Sequence, residues 1–245
     1  MNPDHSSNPD LSLTVAVGCY GAYPQYSIRA VESLLANCDD RKNFNIFVGC
    51  NESSHQILNV FRNYYDQGRI EALVECRRNI NKDPMMRVLL ELCSTRYLLW
   101  LDDDSHVLPG WDTELLKFMK ANLPLDVAGH TFFVHRRFGE HETFLRQRPW
   151  YVSKELEEER IWFATGGLFL ARVGFLRKHN FPDRALVKRA DDVFLGELCQ
   201  QQKAILRDFG RCRPLMDRIK ISDGNRRGSG EGADGWLQVD PITGT

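Results

Sequence analysis

Tyr97-Leu98-Leu99-Trp100-Leu101-Asp102-Asp103-Asp104-Ser105 is an apolar run that delivers three consecutive carboxylates at its C-terminal end. Large apolar residues in unbroken succession fit a strand buried on both faces of a parallel α/β sheet, and such sheets take ligands just beyond the carboxyl ends of their strands. Carboxylates this close repel one another unless a cation or hydrogen-bond donors compensate. One or two of them suit Mg²⁺ or Mn²⁺ carrying a phosphate-bearing substrate. A metal–diphosphate site is therefore the first reading, and a solvated acidic turn capping the next helix is the second.

Working outward, the residues before this strand alternate between strand and helix patterns. Leu11 to Val17 reads as a first strand and Gly18 to Pro24 as a loop, and Tyr26 to Asn37 places Ile28, Val31, Leu34 and Leu35 at helical spacing. Phe44 to Gly49 gives a second strand, Ser53 to Tyr65 a second helix, and Ile70 to Val74 a short third strand. Pro84 can open a helix at its first turn, with Met85, Val88, Leu89 and Leu92 turned inward. This alternation predicts right-handed crossovers and a doubly wound, mostly parallel sheet up to about Asn122.

The second half is less regular. Asp126 to Val134 reads as a strand, His135 to Arg160 as a charged, aromatic stretch, and Ile161 to Ala171 as strands interrupted at Gly166-Gly167. A glycine pair inside a strand marks a bend where another group approaches the backbone. Asp191 and Asp192 open a helix whose N-terminal dipole favours their ionised forms. The segment 223–235, rich in glycine and carrying Arg226 and Arg227, reads as a loop or lid.

Composition bounds the function. The 245 residues carry 32 basic and 33 acidic side chains, so no global positive field draws the chain to nucleic acid or an anionic membrane. No apolar run approaches the ~18 residues of a spanning helix, and Met1 to Asp10 lacks an apolar signal region. A soluble, cytoplasmic protein with no membrane span is expected. The cysteines at 19, 38, 50, 76, 93, 199 and 212 are odd in number and never spaced Cys-x-x-Cys, so neither structural disulfides nor a zinc site is expected.

Several of these features together resemble the GT-A glycosyltransferases of the family 2 type. Val15-Ala-Val-Gly-Cys-Tyr-Gly and Ser27-Ile-Arg-Ala-Val-Glu-Ser-Leu-Leu35 look like that family's opening strand, base-binding loop and first helix. Phe47-Val-Gly-Cys-Asn-Glu-Ser53 resembles its second strand, and Leu99-Trp-Leu-Asp-Asp-Asp104 its strand ending in the DxD metal motif. Ala164-Thr-Gly-Gly-Leu-Phe-Leu-Ala-Arg172 is similar to its acceptor-side strand, and Ala190-Asp-Asp-Val-Phe-Leu-Gly196 to its acidic helix start. The ordered set spans about residues 11 to 200 and is far more specific than DxD alone.

The resemblance implies a GT-A fold: a doubly wound, mostly parallel central sheet with a smaller acceptor-side sheet. It implies one domain over 1–245, with a flexible head (1–10), a nucleotide-sugar-binding half (11–122), an acceptor-binding half (123–215) and a C-terminal loop or lid (216–245). The implied activity is metal-dependent, inverting transfer from a nucleotide-diphosphate sugar, with UDP-sugars the first candidates. Asp102 and Asp104 would hold Mn²⁺ or Mg²⁺, and Asp192, with Asp191 beside it, would be the general base. Donor contacts are expected from Gly18, Tyr20, Asn51, Arg87, Asp102, Asp103, Gly166, Gly167, Arg226 and Arg227. Arg77, Arg78 and Lys82 are further candidates for phosphate or for a solvated basic face.

Two departures stand out. The family's base-reading Asp after the second strand is replaced by Gly49-Cys50-Asn51-Glu52, and no histidine follows His179 to complete the metal shell, leaving Asp208, Asp217, Asp223, Asp234, water or phosphate. The acceptor stays open among glycan, protein, small molecule and modified nucleobase, including a hydroxymethylated DNA base. Rival readings are a non-catalytic sugar-nucleotide-binding module and a sugar-phosphate nucleotidyltransferase. The latter would want basic residues in the loop after the first strand, and Gly18 to Pro24 has none.

Overall fold

The computed structural model describes residues 10–39, 41, 44–135, 144–152, 160–183 and 191–220. Strands β1 (Leu13–Tyr20), β2 (Phe44–Asn51), β3 (Ala72–Cys76) and β4 (Tyr97–Asp102) run parallel, with helices α1 (Pro24–Ala36), α2 (His55–Asp66) and α3 (Lys82–Leu92) in the crossovers. The sheet has seven strands in the order β3-β2-β1-β4-β7-β6-β8, where β6 is Val127–His135, β7 Arg160–Arg172 and β8 Leu206–Asp208. β7 is antiparallel to both its neighbours, and β8 is parallel to β6. A separate two-stranded sheet pairs β5 (His106–Val107) with β9 (Ile219–Lys220). This is the mostly parallel α/β architecture, with a smaller second sheet, that the sequence implies.

The apolar run of β4 explains its central place. Side chains alternate across a strand, so Tyr97, Leu99 and Leu101 join one core with Val15, Val17, Ile46 and Val48, while Leu98 and Trp100 join the other with Ala16, Phe47, Met85 and Leu89. A strand buried on both faces cannot alternate apolar with polar, and this one does not. Helix α4 (Trp111–Asn122) adds Trp111, Leu115 and Met119 to the first core.

Two local features position the site. Helix α3 starts at Lys82, two residues before Pro84, because Asn81 turns the chain with φ 69°; Pro84 still lies in the first turn, where its missing N–H costs no helical bond. The expected break at Gly166-Gly167 takes the form of a bowed segment within β7. Gly129 pairs with Phe169 and Thr131 with Ala164, so residues 165–168 of β7 stand opposite His130 alone. Helices α5 (Val173–Lys178), α6 (Asp191–Gln201) and α7 (Arg213–Met216) follow. Among the described residues no helix is long and apolar enough to cross a membrane.

Candidate active site

The C-terminal ends of β1, β2 and β4 open into a cleft of about 300 Å³, lined among others by Gly18, Tyr20, Asn51, Lys82, Trp100 and all three acids, Asp102, Asp103 and Asp104. The acids do different things. Asp103 is buried and accepts hydrogen bonds from Ser27 Oγ at 2.5 Å and from the Tyr20 backbone N–H at 3.2 Å, tying α1 and the end of β1 to β4. Asp102 is about a third exposed, and its Oδ1 accepts from the Trp100 indole at 2.7 Å. Asp104 is half-buried on the cleft wall, and its backbone carbonyl accepts from the Arg29 guanidinium at 3.4 Å, which steadies the acidic turn from α1.

Lys82 completes the electrostatics. Its ammonium lies 3.2 Å from both Asp102 oxygens and donates to the Gly166 carbonyl at 2.7 Å. The Gly166 N–H in turn faces Asp192 Oδ2 at 3.4 Å, and Asp192 Oδ1 accepts from the Val193 N–H at 2.8 Å. One residue of the bowed strand thus connects the acid at the end of β4 to the acid at the start of α6. The N-terminal end of a helix favours the ionised carboxylate that general-base chemistry requires.

The other expected residues divide. Gly18 sits where a Cβ would come within 2.7 Å of the Trp100 ring, so the absence of a side chain lets the indole close the cleft floor. Asn51 lines the cleft, but its amide is committed at both ends: Nδ2 donates to Asn79 and Oδ1 accepts from the Ile80 N–H, which fixes the loop before α3. Gly167 lies in the bowed segment beside Gly166. Arg87 is not brought to the cleft; it projects from α3 toward Asn180 and the Pro182 carbonyl, because Met85, Met86, Leu89 and Leu90 take the buried face. Asp191 opens α6, while its side chain, Arg226 and Arg227 lie outside the described residues.

Among the described residues no group of three or more His, Cys, Asp or Glu is placed to hold a metal. Asp208 accepts from the Thr131 and Gly210 N–H groups at the end of β8, and Asp217 pairs with Arg213 at 3.8 Å; neither lines the cleft. Asp223 and Asp234 lie outside the described residues. A hard divalent cation that keeps one or two carboxylates and takes its remaining ligands from phosphate and water fits this donor set. Behind the cleft, burial pushes the Cys50 thiol up to about 12, so it is a neutral core residue at physiological pH.

The sequence placed the acids but did not single out Lys82 above its basic neighbours. Lys82 opens the helix that packs beneath Gly49 and Trp100, a placement that the fold reveals and the run of basic residues conceals. Beyond the cleft, a groove of about 900 Å³ follows the β8 edge of the sheet, with Trp162, Lys203, Arg207 and Asp208 on its walls.

Known proteins bear on this geometry. Residues 14–179, well over half of the chain, match the family described as Glycosyl transferase family 2. No sequence among curated proteins matches the chain. S. aureus TarS 1–349 in complex with UDP is similar at a TM-score of 0.55 and 14% identity, covering 80% of this chain and 57% of that one. The mannosyltransferase PcManGT from Pyrobaculum calidifontis, in complex with GDP-Man and Mn²⁺, gives 0.54 and 15%, covering 80% of this chain and 54% of that one. Against another TarS structure the score is 0.53 at 14% identity, covering 78% of this chain and 34% of that one. This chain therefore spans between about a third and just over half the length of these proteins. At such identities the likeness shows the fold, which is GT-A, and the family match adds membership: the chain belongs to glycosyl transferase family 2.

Proposed function

We propose that the chain transfers a sugar from a nucleotide-diphosphate donor to an acceptor hydroxyl, with inversion and with the help of Mn²⁺ or Mg²⁺. The observation that carries this reading is the run of contacts from Asp102 through Lys82 and Gly166 to Asp192 at the carboxyl end of β4. UDP-sugars are the first donors to test and GDP-sugars the second, since the similar structures include TarS complexes with UDP and UDP-GlcNAc and a PcManGT complex with GDP-Man.

Asp102 and Asp104 would hold the cation against the diphosphate, where it supplies Lewis-acid stabilisation of the leaving group. Lys82 adds a charge on the same side, and the cleft floor of Gly18 and Trp100 gives the donor an apolar surface. Asp192 takes the proton of the acceptor hydroxyl as its oxygen bonds to the anomeric carbon. The bond from that carbon to the diphosphate breaks, and its electron pair leaves on the diphosphate oxygen. The Gly166 N–H steadies the carboxylate meanwhile. The groove beside Trp162, which is 39% exposed, offers an aromatic wall for an acceptor.

Proton NMR of the first sugar released or transferred tests the stereochemistry. An α-linked donor should give a β product; an α product would remove Asp192 from the role of base and replace the direct displacement.

A further inference from the structure

Lys82 occupies the centre of the site. Its ammonium is held by both oxygens of Asp102 at 3.2 Å, by the Gly166 carbonyl at 2.7 Å and, 5.9 Å away, by the face of the Trp100 ring. The Trp100 indole N–H uses Asp102 Oδ1 as well. A divalent cation approaching Asp102 therefore meets a carboxylate already engaged by an ammonium and an indole, and a like charge within a few ångströms. Asp104 alone is a poor site for a hard cation, which prefers several oxygen ligands.

We propose that Lys82 is a built-in counter-ion: it competes with the divalent cation for Asp102 and passes to the diphosphate when the donor binds. This rests on the nucleotide-diphosphate reading above. The geometry suits the transfer, because the lysine stem is flexible, the ammonium is a compact charge with three donors, and it already lies on the cleft wall beside the acids. The arrangement gives Asp102 a counter-charge from within the chain. It also makes metal and diphosphate favour each other, since the diphosphate draws the ammonium away from Asp102 and supplies the missing oxygen ligands. By linkage the preference is reciprocal.

The test uses the full chain and Lys82→Gln, which retains a donor for the Gly166 carbonyl and removes the charge. Two equilibria are measured separately: Mn²⁺ without nucleotide, by the paramagnetic resonance of free Mn²⁺, and UDP or GDP in excess EDTA, by calorimetry. For a partly exposed pair, Lys82→Gln should bind Mn²⁺ alone about threefold or more tighter and the nucleotide alone about threefold or more weaker. The opposite signs are diagnostic, because loss of a simple tether between α3 and β7 would weaken both. Weakening of both, or no change in either, overturns the proposal. If neither UDP nor GDP binds the unaltered protein, with Mn²⁺ or without it, the donor reading itself has failed. A measurement on the unaltered side chain guards against a variant that does not fold. In protein with ¹³C-methylated lysines, the Lys82 resonance, assigned by its loss in Lys82→Arg, should move when whichever of UDP and GDP binds is added in EDTA. A resonance that stays in place while the nucleotide binds would equally overturn the proposal.

Discussion

Asp103 shows how three adjacent carboxylates are tolerated at one strand end. Buried under α1, it accepts hydrogen bonds from the Ser27 hydroxyl and the Tyr20 N–H, whereas Asp102 is paired with Lys82 and Asp104 lies half-buried on the cleft wall. Asp103→Ala should therefore be a stability variant: it strands the buried Ser27 hydroxyl and should cost about 1–3 kcal/mol, read as a lower Tm. Asp104→Asn should leave Tm nearly unchanged and abolish metal-dependent donor binding, since the amide keeps the shape and loses the charge. If the two variants exchange phenotypes, the division of labour among the acids is wrong. Asp192→Asn should lower kcat by at least ~10² with little change in donor affinity, because base help acts on the acceptor. Asp191→Asn should be milder, and a reversal would move the base by one position. The acids themselves were legible in the sequence. Their separate tasks were not, because the partners that decide them, Ser27 and Lys82, are distant along the chain or hidden among other basic residues.

At the scale of elements, two glycines let neighbouring elements approach closely, one against fixed backbone and one against a movable side chain. A Cβ at Gly196 of α6 would lie 2.4 Å from the Trp162 backbone carbonyl, so the helix carrying Asp192 packs directly on β7. A Cβ at Gly49 of β2 would lie 2.4 Å from Met85 Sδ, the end of a flexible side chain. Gly196→Ala should therefore destabilise by about 1–3 kcal/mol or more, and Gly49→Ala by less, since methionine can move and a strand carbonyl cannot. Equal losses in thermal melts would count against rigid docking of α6 on β7. Alternation of strand and helix was readable for β1 to β4, where buried strands are uniformly apolar and helices show one apolar face. The bow in β7 was readable as a glycine pair that another group approaches, but the approaching groups were not, since Lys82 and Asp192 reach Gly166 from separate elements. β8 and β9, of three and two residues, are too short to leave a periodic pattern.

For the molecule as a whole, the parallel half and the antiparallel half meet along β4 and β7, and the proposed chemistry lies at the end of that seam. The sheet order reverses one strand away, between β1 and β4, the position where ligands of open α/β folds commonly bind. The family was legible because its motifs occur in order along the chain; the acceptor was not, because recognition rests on surfaces that no short motif describes. The central claim is that this seam holds a nucleotide-diphosphate sugar through a divalent cation and breaks its glycosidic bond. The most direct measurement is release of nucleoside diphosphate from a panel of UDP- and GDP-sugars, in Mn²⁺ and in excess EDTA. The account predicts release from at least one donor in Mn²⁺, none in EDTA, and none in Asp104→Asn under either condition. Release that persists undiminished in EDTA, or no release and no binding of any donor in Mn²⁺, would contradict it.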